Sequence, residues 1–312
     1  MIAAEAVSKS FPLRGLFRRG AVRAVQDVTL AVPSGQALGL VGESGSGKST
    51  LGRLVLGLLP PSSGRVVVDG QDLATASPAN LRRLRRRMQL VFQDPYSSLD
   101  PRRRVGAQIA DGLEIHGLPR EGRVAALLEQ VGLPPDHSGR FPHEFSGGQR
   151  QRIAIARALA TAPDLVVADE PVSALDVSVQ AQVLTLLADL RTRLGLALLF
   201  ISHDLPVVHS LCDRVVVLYL GRVMEAGAVA DVFRRPLHPY TQALLAAAPR
   251  LALAQRRARI LLSGEPPSPV AQPSGCVFRT RCPRALPECA EAVPRLVEHA
   301  PGHSAACIRV GS

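Results

Sequence analysis

The string Gly42-Glu43-Ser44-Gly45-Ser46-Gly47-Lys48-Ser49-Thr50 sets glycines, a lysine and hydroxyls at the spacing that grips a triphosphate. Its glycines let backbone N–H groups close around phosphate oxygens with no Cβ in the way. A helix opening near Lys48 adds the positive end of its dipole. Lys48 is then placed to neutralise β- and γ-phosphate oxygens, and the Ser49 hydroxyl to ligate Mg²⁺. A second group stands at Asp169-Glu170, two acids that end the apolar run Leu165–Ala168. Asp169 is expected to hold Mg²⁺, directly or through water, and Glu170 to polarise an attacking water as general base. A third group is Ser146-Gly147-Gly148-Gln149, an N-capping serine and two glycines ahead of a long helical stretch. It is a second helix start able to meet a polyanion, and one triphosphate does not obviously need both. The chemistry implied is binding and hydrolysis of a nucleoside triphosphate.

The elements that must carry these groups are legible as alternation. Strand-like runs lie at Ala37–Val41, Arg65–Val68, Met88–Phe92, Leu165–Ala168, Ala197–Ile201 and Arg214–Leu218. Most are continuously apolar, as buried parallel strands are. Between Ser178 and Leu194 the residues Val179, Val183, Leu186, Leu187, Leu190 and Leu194 form one helical stripe. This predicts an α/β domain with a mostly parallel sheet. Residues from about 105 to 160 read as successive helices, an insertion within that core. Beyond Leu261, the proline-rich stretch Gly264–Gly275 reads as a stiff extended linker. It leads to a tail bearing Cys276, Cys282, Cys289 and Cys307. Cys212 reads as a small buried hydrophobe on an apolar helix.

The chain of 312 residues is 46% hydrophobic and 20% charged, which suits a soluble domain with a sizeable core. No run reaches the ~18 apolar residues of a membrane span, and the N-terminus lacks a secretion-signal layout. The net charge of +11 is nearly all arginine, since Lys9 and Lys48 are the lysines. The densest cluster, Leu81-Arg-Arg-Leu-Arg-Arg-Arg, reads as a solvated helix face rather than a nucleic-acid or phospholipid site.

With Phe145 ahead of it, Ser146–Gln149 resembles the signature of the nucleotide-binding subunits of ABC transporters, in which leucine usually stands first. The resemblance spans about residues 1–260 and implies an α/β P-loop NTPase ABC cassette. Such a cassette has a mostly parallel sheet core plus an antiparallel β part, with a helical subdomain at about 100–160. It implies that the signature of one subunit closes over the ATP held by the other's phosphate loop, with Mg²⁺. By the same resemblance Gln93 matches the Q-loop glutamine that senses Mg²⁺ and the lytic water. Asp176 matches the D-loop, His203 the switch histidine, and Phe11 the aromatic that stacks on adenine.

Phe92–Arg102, including Tyr96, with Phe141–Gly148 and Glu170–Gln180, are similar to the second of the paired ATPases of oligopeptide/dipeptide importers. Residues 261–312 resemble that branch's C-terminal extension. The implied partners are a sister ATPase (or a second copy), two transmembrane permeases and, through them, an extracytoplasmic solute-binding protein, with no nucleic acid. The implied location is peripheral, on the cytoplasmic face of the bacterial inner membrane. The solute is a peptide or a similar small molecule, nickel and glutathione included. Chromosome-type relatives separate the phosphate loop from the signature by long coiled coils, and translation-type relatives carry two cassettes; neither pattern fits. For the four tail cysteines three readings stay open: a [4Fe–4S] cluster, as the resemblance implies, zinc with His299 or His303, or unmetallated thiols. Arg279, Arg281 and Arg284 are expected to offset thiolate charge.

Overall fold

The computed structural model describes residues 2–13, 20–94, 98–248, 262 and 264–310. Tyr96 and the boundary expected at 260/261 lie outside the described residues. In chain order the strands are β1 (Ile2–Pro12), β2 (Ala21–Val32), β3 (Ala37–Val41), β4 (Ser63–Val68), β5 (Gln71–Asp72), β6 (Met88–Val91), β7 (Leu165–Asp169), β8 (Ala197–Ser202), β9 (Arg214–Tyr219), β10 (Arg222–Ala228), β11 (Val297–Ala300) and β12 (His303–Ala305). The helices are α1 (Lys48–Val55), α2 (Pro78–Arg86), α3 (Val105–Ile115), α4 (Arg123–Gln130), α5 (Gly147–Leu159), α6 (Val177–Leu194), α7 (Leu205–Leu211), α8 (Val229–Arg234) and α9 (Pro239–Ala247). The chain divides into two compact parts: one of Val32–Gln36 and Thr75–Ile201, the other of Ile2–Ala31, Ala37–Ala74 and Ser202–Ser312.

The part centred on Thr75–Ile201 holds the parallel strands β6, β7 and β8 in that order, with Met88 opposite Leu165 and Leu165 opposite Ala197. Every residue of β7 and β8 is buried, so their apolar runs carry no polar alternation. Between them runs α6, begun by the Asp176 cap and ended by Gly195 at φ 64°, a left-handed turn suited to glycine. Its buried stripe is Val183, Leu187 and Leu190; Leu194, expected on the same face, is exposed because it ends the helix. The predicted helical stretch is α3, α4 and α5, with short 3₁₀ turns at Pro135–Gly139 and Pro142–Glu144 between α4 and α5. Ile109, Leu113, Leu127, Leu128 and Ile153 fill their shared core, each contributing roughly 1.5–3 kcal/mol. The arginine run forms α2, capped by Ser77, with Leu84 buried and Arg82, Arg83 and Arg85 exposed, as a solvated face requires.

The other part contains two sheets. One runs β2-β1-β4-β5, with antiparallel pairs β1–β4 and β4–β5. In the other, β3 lies parallel to β9, and β10, β12 and β11 follow antiparallel. The tail therefore extends a sheet by pairing β12 onto β10. Glu225 of β10, with none of its surface exposed, accepts the N–H groups of Leu237 (2.9 Å) and His238 (2.8 Å). Its carboxyl group also meets His303 Nε2 of β12 at 2.7 Å. Burial alone holds the neighbouring His238 imidazole down to about 3, so it is neutral and its Nδ1 accepts from the Tyr240 N–H.

The stretch Gly264–Gly275 forms no regular helix or strand, yet it is not a free linker. Buried Gln26 donates to Gln272 Oε1 at 2.7 Å, and Gln272 donates to the Leu220 carbonyl at 3.2 Å. A buried amide needs partners, and the strap supplies them. Cys212 is buried as expected, but it stands just after α7 rather than within it.

Candidate functional site

The phosphate loop follows β3 and ends at α1, the strand–loop–helix order its chemistry needs. Gly42 (φ 152°) and Gly47 (φ 101°) are required by space as well as by backbone. A Cβ on Gly42 would stand 2.1 Å from the Leu218 carbonyl oxygen, and one on Gly47 2.1 Å from that of Ala24. Gly47 caps α1, and no side chain caps that helix. Lys48 is buried, its ammonium donating to the carbonyls of Gly42 (2.8 Å) and Glu43 (2.9 Å) and to Ser46 Oγ (3.4 Å). The cradle thus holds a cation folded over glycine backbone, a donor set that suits phosphate oxygens. Ser49 and Thr50 follow on the first turn of α1, both half-buried, while Ser44 and Gly45 are exposed at the loop's tip.

Glu43 behaves differently from its neighbours. Its N–H donates to the Tyr240 hydroxyl at 2.9 Å, and its carboxylate pairs with Arg281 Nη1 at 2.7 Å. Arg281, expected to balance thiolate charge, turns to the loop instead, because a buried guanidinium needs a carboxylate and Glu43 is the one in reach. Arg279 also departs from that expectation, donating to the Ser274 carbonyl at 2.9 Å. Tyr219, Tyr240 and Phe278 pack beneath the pair, with ring centroids 4.7–5.3 Å apart. Sequence reasoning missed Tyr240 and the Arg281 contact; no local pattern marks a partner 238 positions away.

In the same part, His203 is exposed just beyond β8, ahead of the Asp204-capped helix α7. Phe11 lies near the end of β1, 37% exposed rather than in the core, with the Lys9 ammonium 5.4 Å above its ring.

In the part centred on Thr75–Ile201, buried Asp169 closes β7. Glu170, one residue on, sits at φ 45°, a left-handed conformation that costs a non-glycine residue on the order of 1–3 kcal/mol. Its N–H donates to the Ile201 carbonyl at 2.9 Å, anchoring the strained turn. Its Oε2 accepts the amide of Gln93 at 3.1 Å, so the two residues singled out for water activation meet.

Ser146 begins α5 with a closed capping box: its hydroxyl accepts the Gln149 N–H at 3.3 Å, and Gln149 Oε1 accepts the Ser146 N–H at 3.0 Å. Phe145 is buried edge-on to His137, centroids 5.3 Å apart, which accounts for an aromatic where leucine is usual. Gly148, expected to admit a polyanion, is buried. A Cβ there would stand 2.3 Å from Val179 Cγ1, so its smallness serves the packing of α5 on α6. Asp176 is exposed, accepting the Val179 N–H at 3.0 Å and the Ser178 hydroxyl at 2.7 Å. Those two bonds, the amide's first, hold its carboxyl below the usual carboxylate range.

In the tail, Cys276 and Cys289 are buried, Cys282 and Cys307 half-buried, and all four are free thiols. Burial pushes the Cys276 thiol up to about 11, and the thiols of Cys289, Cys282 and Cys307 add to the rise. The four therefore share a neighbourhood. Among the described residues, however, no three His, Cys, Asp or Glu side chains are grouped so as to hold a metal ion. Nor is any described helix long and apolar enough to cross a membrane.

The family described as ABC transporter matches residues 25–173. The Oligopeptide/dipeptide transporter, C-terminal region, matches residues 224–289. A putative peptide import ATP-binding protein of Brucella ovis is 56% identical over 296 residues, 94% of this chain and 93% of that protein. The oligopeptide transport ATP-binding protein AppF of Bacillus subtilis is 50% identical over 311 residues, covering 96% and 94%. Among solved structures, a dimeric post-hydrolysis state of the ATP-binding cassette MJ0796 bound to ADP and Pi superposes with a TM-score of 0.66 at 28% identity. It spans 73% of this chain and 99% of that one. The chain belongs to the ABC transporter family and has its cassette fold, as an ATP-binding, ATP-hydrolysing member. Within the family it carries the C-terminal region of the oligopeptide/dipeptide transporters.

Proposed function

We infer that this chain is the ATP-hydrolysing subunit of an importer for peptides or similar small solutes, peripheral to the cytoplasmic face of a bacterial inner membrane. Its partners in that reading are a sister ATPase, two transmembrane permeases and an extracytoplasmic solute-binding protein. Residues 1–260 form the cassette and 261–312 the branch's extension. The relatives named for peptide import and oligopeptide transport support the solute class.

The observation that carries the mechanism is the Gln93–Glu170 contact. A strained turn fixes the carboxylate, and the glutamine amide occupies one of its oxygens. As general base, that carboxylate accepts a proton from the attacking water. Lys48 exchanges its carbonyl partners for the phosphate oxygens of ATP, with the loop from Gly42 to Thr50 around them. Ser49 and Asp169, with Gln93, are the residues that would hold Mg²⁺, which would offset phosphate charge. His203 bonds the γ-phosphate, and Phe11 lies against adenine. Ser146–Gln149 closes over the nucleotide bound by the partner, and Asp176 links the two active centres. Glu170→Gln preserves ATP binding and slows turnover by at least about 10²-fold. Saturated with Mg·ATP and mixed with its sister subunit, that variant is expected to sediment as a dimer. Separate monomers under those conditions would refute the reading.

In this reading Cys276, Cys282, Cys289 and Cys307 would be the thiolates that hold a [4Fe–4S] cluster in the tail. Anaerobically purified protein should then contain iron and absorb near ~400 nm. Stoichiometric zinc, or neither metal, would refute it.

A further inference from the structure

Glu43 places a carboxylate within a loop that must hold a polyanion, and an uncompensated negative charge there opposes nucleotide binding. The compensating charge is Arg281, between Cys276 and Cys282 in the tail, outside the segment matched to the cassette family. Its guanidinium is 2.7 Å from the Glu43 carboxylate, and its side chain is 9% exposed. It stands over the Tyr219 ring at 5.9 Å and donates to the Tyr219 hydroxyl at 3.4 Å. Phe278, wholly buried, locks the same segment against Tyr219 and Tyr240, and Tyr240 holds the Glu43 amide. The tail thus holds the Glu43 side chain through Arg281, while Tyr240 of α9, packed against Phe278, holds its main chain. Screening by solvent is weak at such a pair, so the neutralisation is felt by a nucleotide in the loop.

We propose that Arg281 is a positioning residue of the ATP site: it neutralises and fixes Glu43, so that the C-terminal extension supplies part of the affinity of the phosphate loop for Mg·ATP. The proposal rests on the reading that the Gly42–Thr50 loop holds the nucleotide.

The test is a double-mutant cycle on the full-length chain, with Mg·ATP affinity read in a filter assay. Arg281→Gln leaves the Glu43 carboxylate bare and should weaken Mg·ATP by about tenfold. Adding Glu43→Gln to that variant removes the bare charge and should recover most of the lost affinity, a rescue that a merely structural role for Arg281 would not give. Arg281→Lys, which keeps the charge, should lose less than Arg281→Gln. Wild-type affinity in Arg281→Gln, or additive losses in the double variant, would overturn the proposal. Should Arg281→Gln fail to fold, Arg281→Lys with and without Glu43→Gln carries the same comparison. Glu43→Gln must then not weaken binding in either background, and a loss in both overturns the proposal. Lys48→Ala separates the two levels. If it still binds Mg·ATP, the loop reading itself fails; if it does not, a null result at Arg281 counts against Arg281 alone.

Discussion

The starts of α1 and α5 are built on opposite plans. At α1 the cap is a left-handed glycine, no side chain caps the helix, and Lys48 is bent back onto loop carbonyls. At α5 the serine and glutamine close a reciprocal box, and Gly148 is consumed by packing against Val179. The first end has no side-chain cap and carries its charge in Lys48. The second closes its own cap within four residues. In the reading proposed above, the closed cap is the one that meets a partner's nucleotide, and the uncapped end is the one that captures nucleotide from solution.

Three substitutions probe that contrast. Lys48→Ala removes the charged donor from the first turn of α1 and should lower Mg·ATP affinity on the order of 10²-fold, read in a filter assay. Retained affinity would remove the Gly42–Thr50 loop from nucleotide capture and leave the contrast without its functional meaning. Gly148→Ala drives a methyl group into Val179 and should lower unfolding free energy by about 1–3 kcal/mol in urea titrations. Val179→Ala in the same chain should return part of it, and no loss would show that α5 and α6 can slide apart. Ser146→Ala opens the capping box, with an expected cost of about 1 kcal/mol in the same titration. An unchanged midpoint would mean that packing, not capping, holds α5 in place.

Much of this architecture was legible because parallel strands buried on both faces write themselves as unbroken apolar runs. Leu165–Asp169 and Ala197–Ser202 were readable within a residue for that reason. β1 and β2 escaped notice because they face solvent on one side, and their polar residues dilute the run. β11 is exposed along its whole length and carries no hydrophobic signal at all. The chemistry at Gly42–Thr50, Asp169-Glu170 and Ser146–Gln149 was visible because each motif is local, with donors and acids a few bonds apart. Gly148 shows the limit of such reading: two reasons for a glycine look alike in sequence, and only Val179 tells them apart. Arg281 shows a second limit. Its neighbours along the chain are cysteines, whereas its partner is a glutamate far upstream.

Glu225 is wholly enclosed, and one of its three bonding partners is His303, close to the chain's end. A premature stop codon, or a recombination that exchanged the tail for another, would strand an acid inside the body of the ATPase with an empty coordination position. Exchanging the cysteine-bearing appendage would therefore call for a matching change at Glu225.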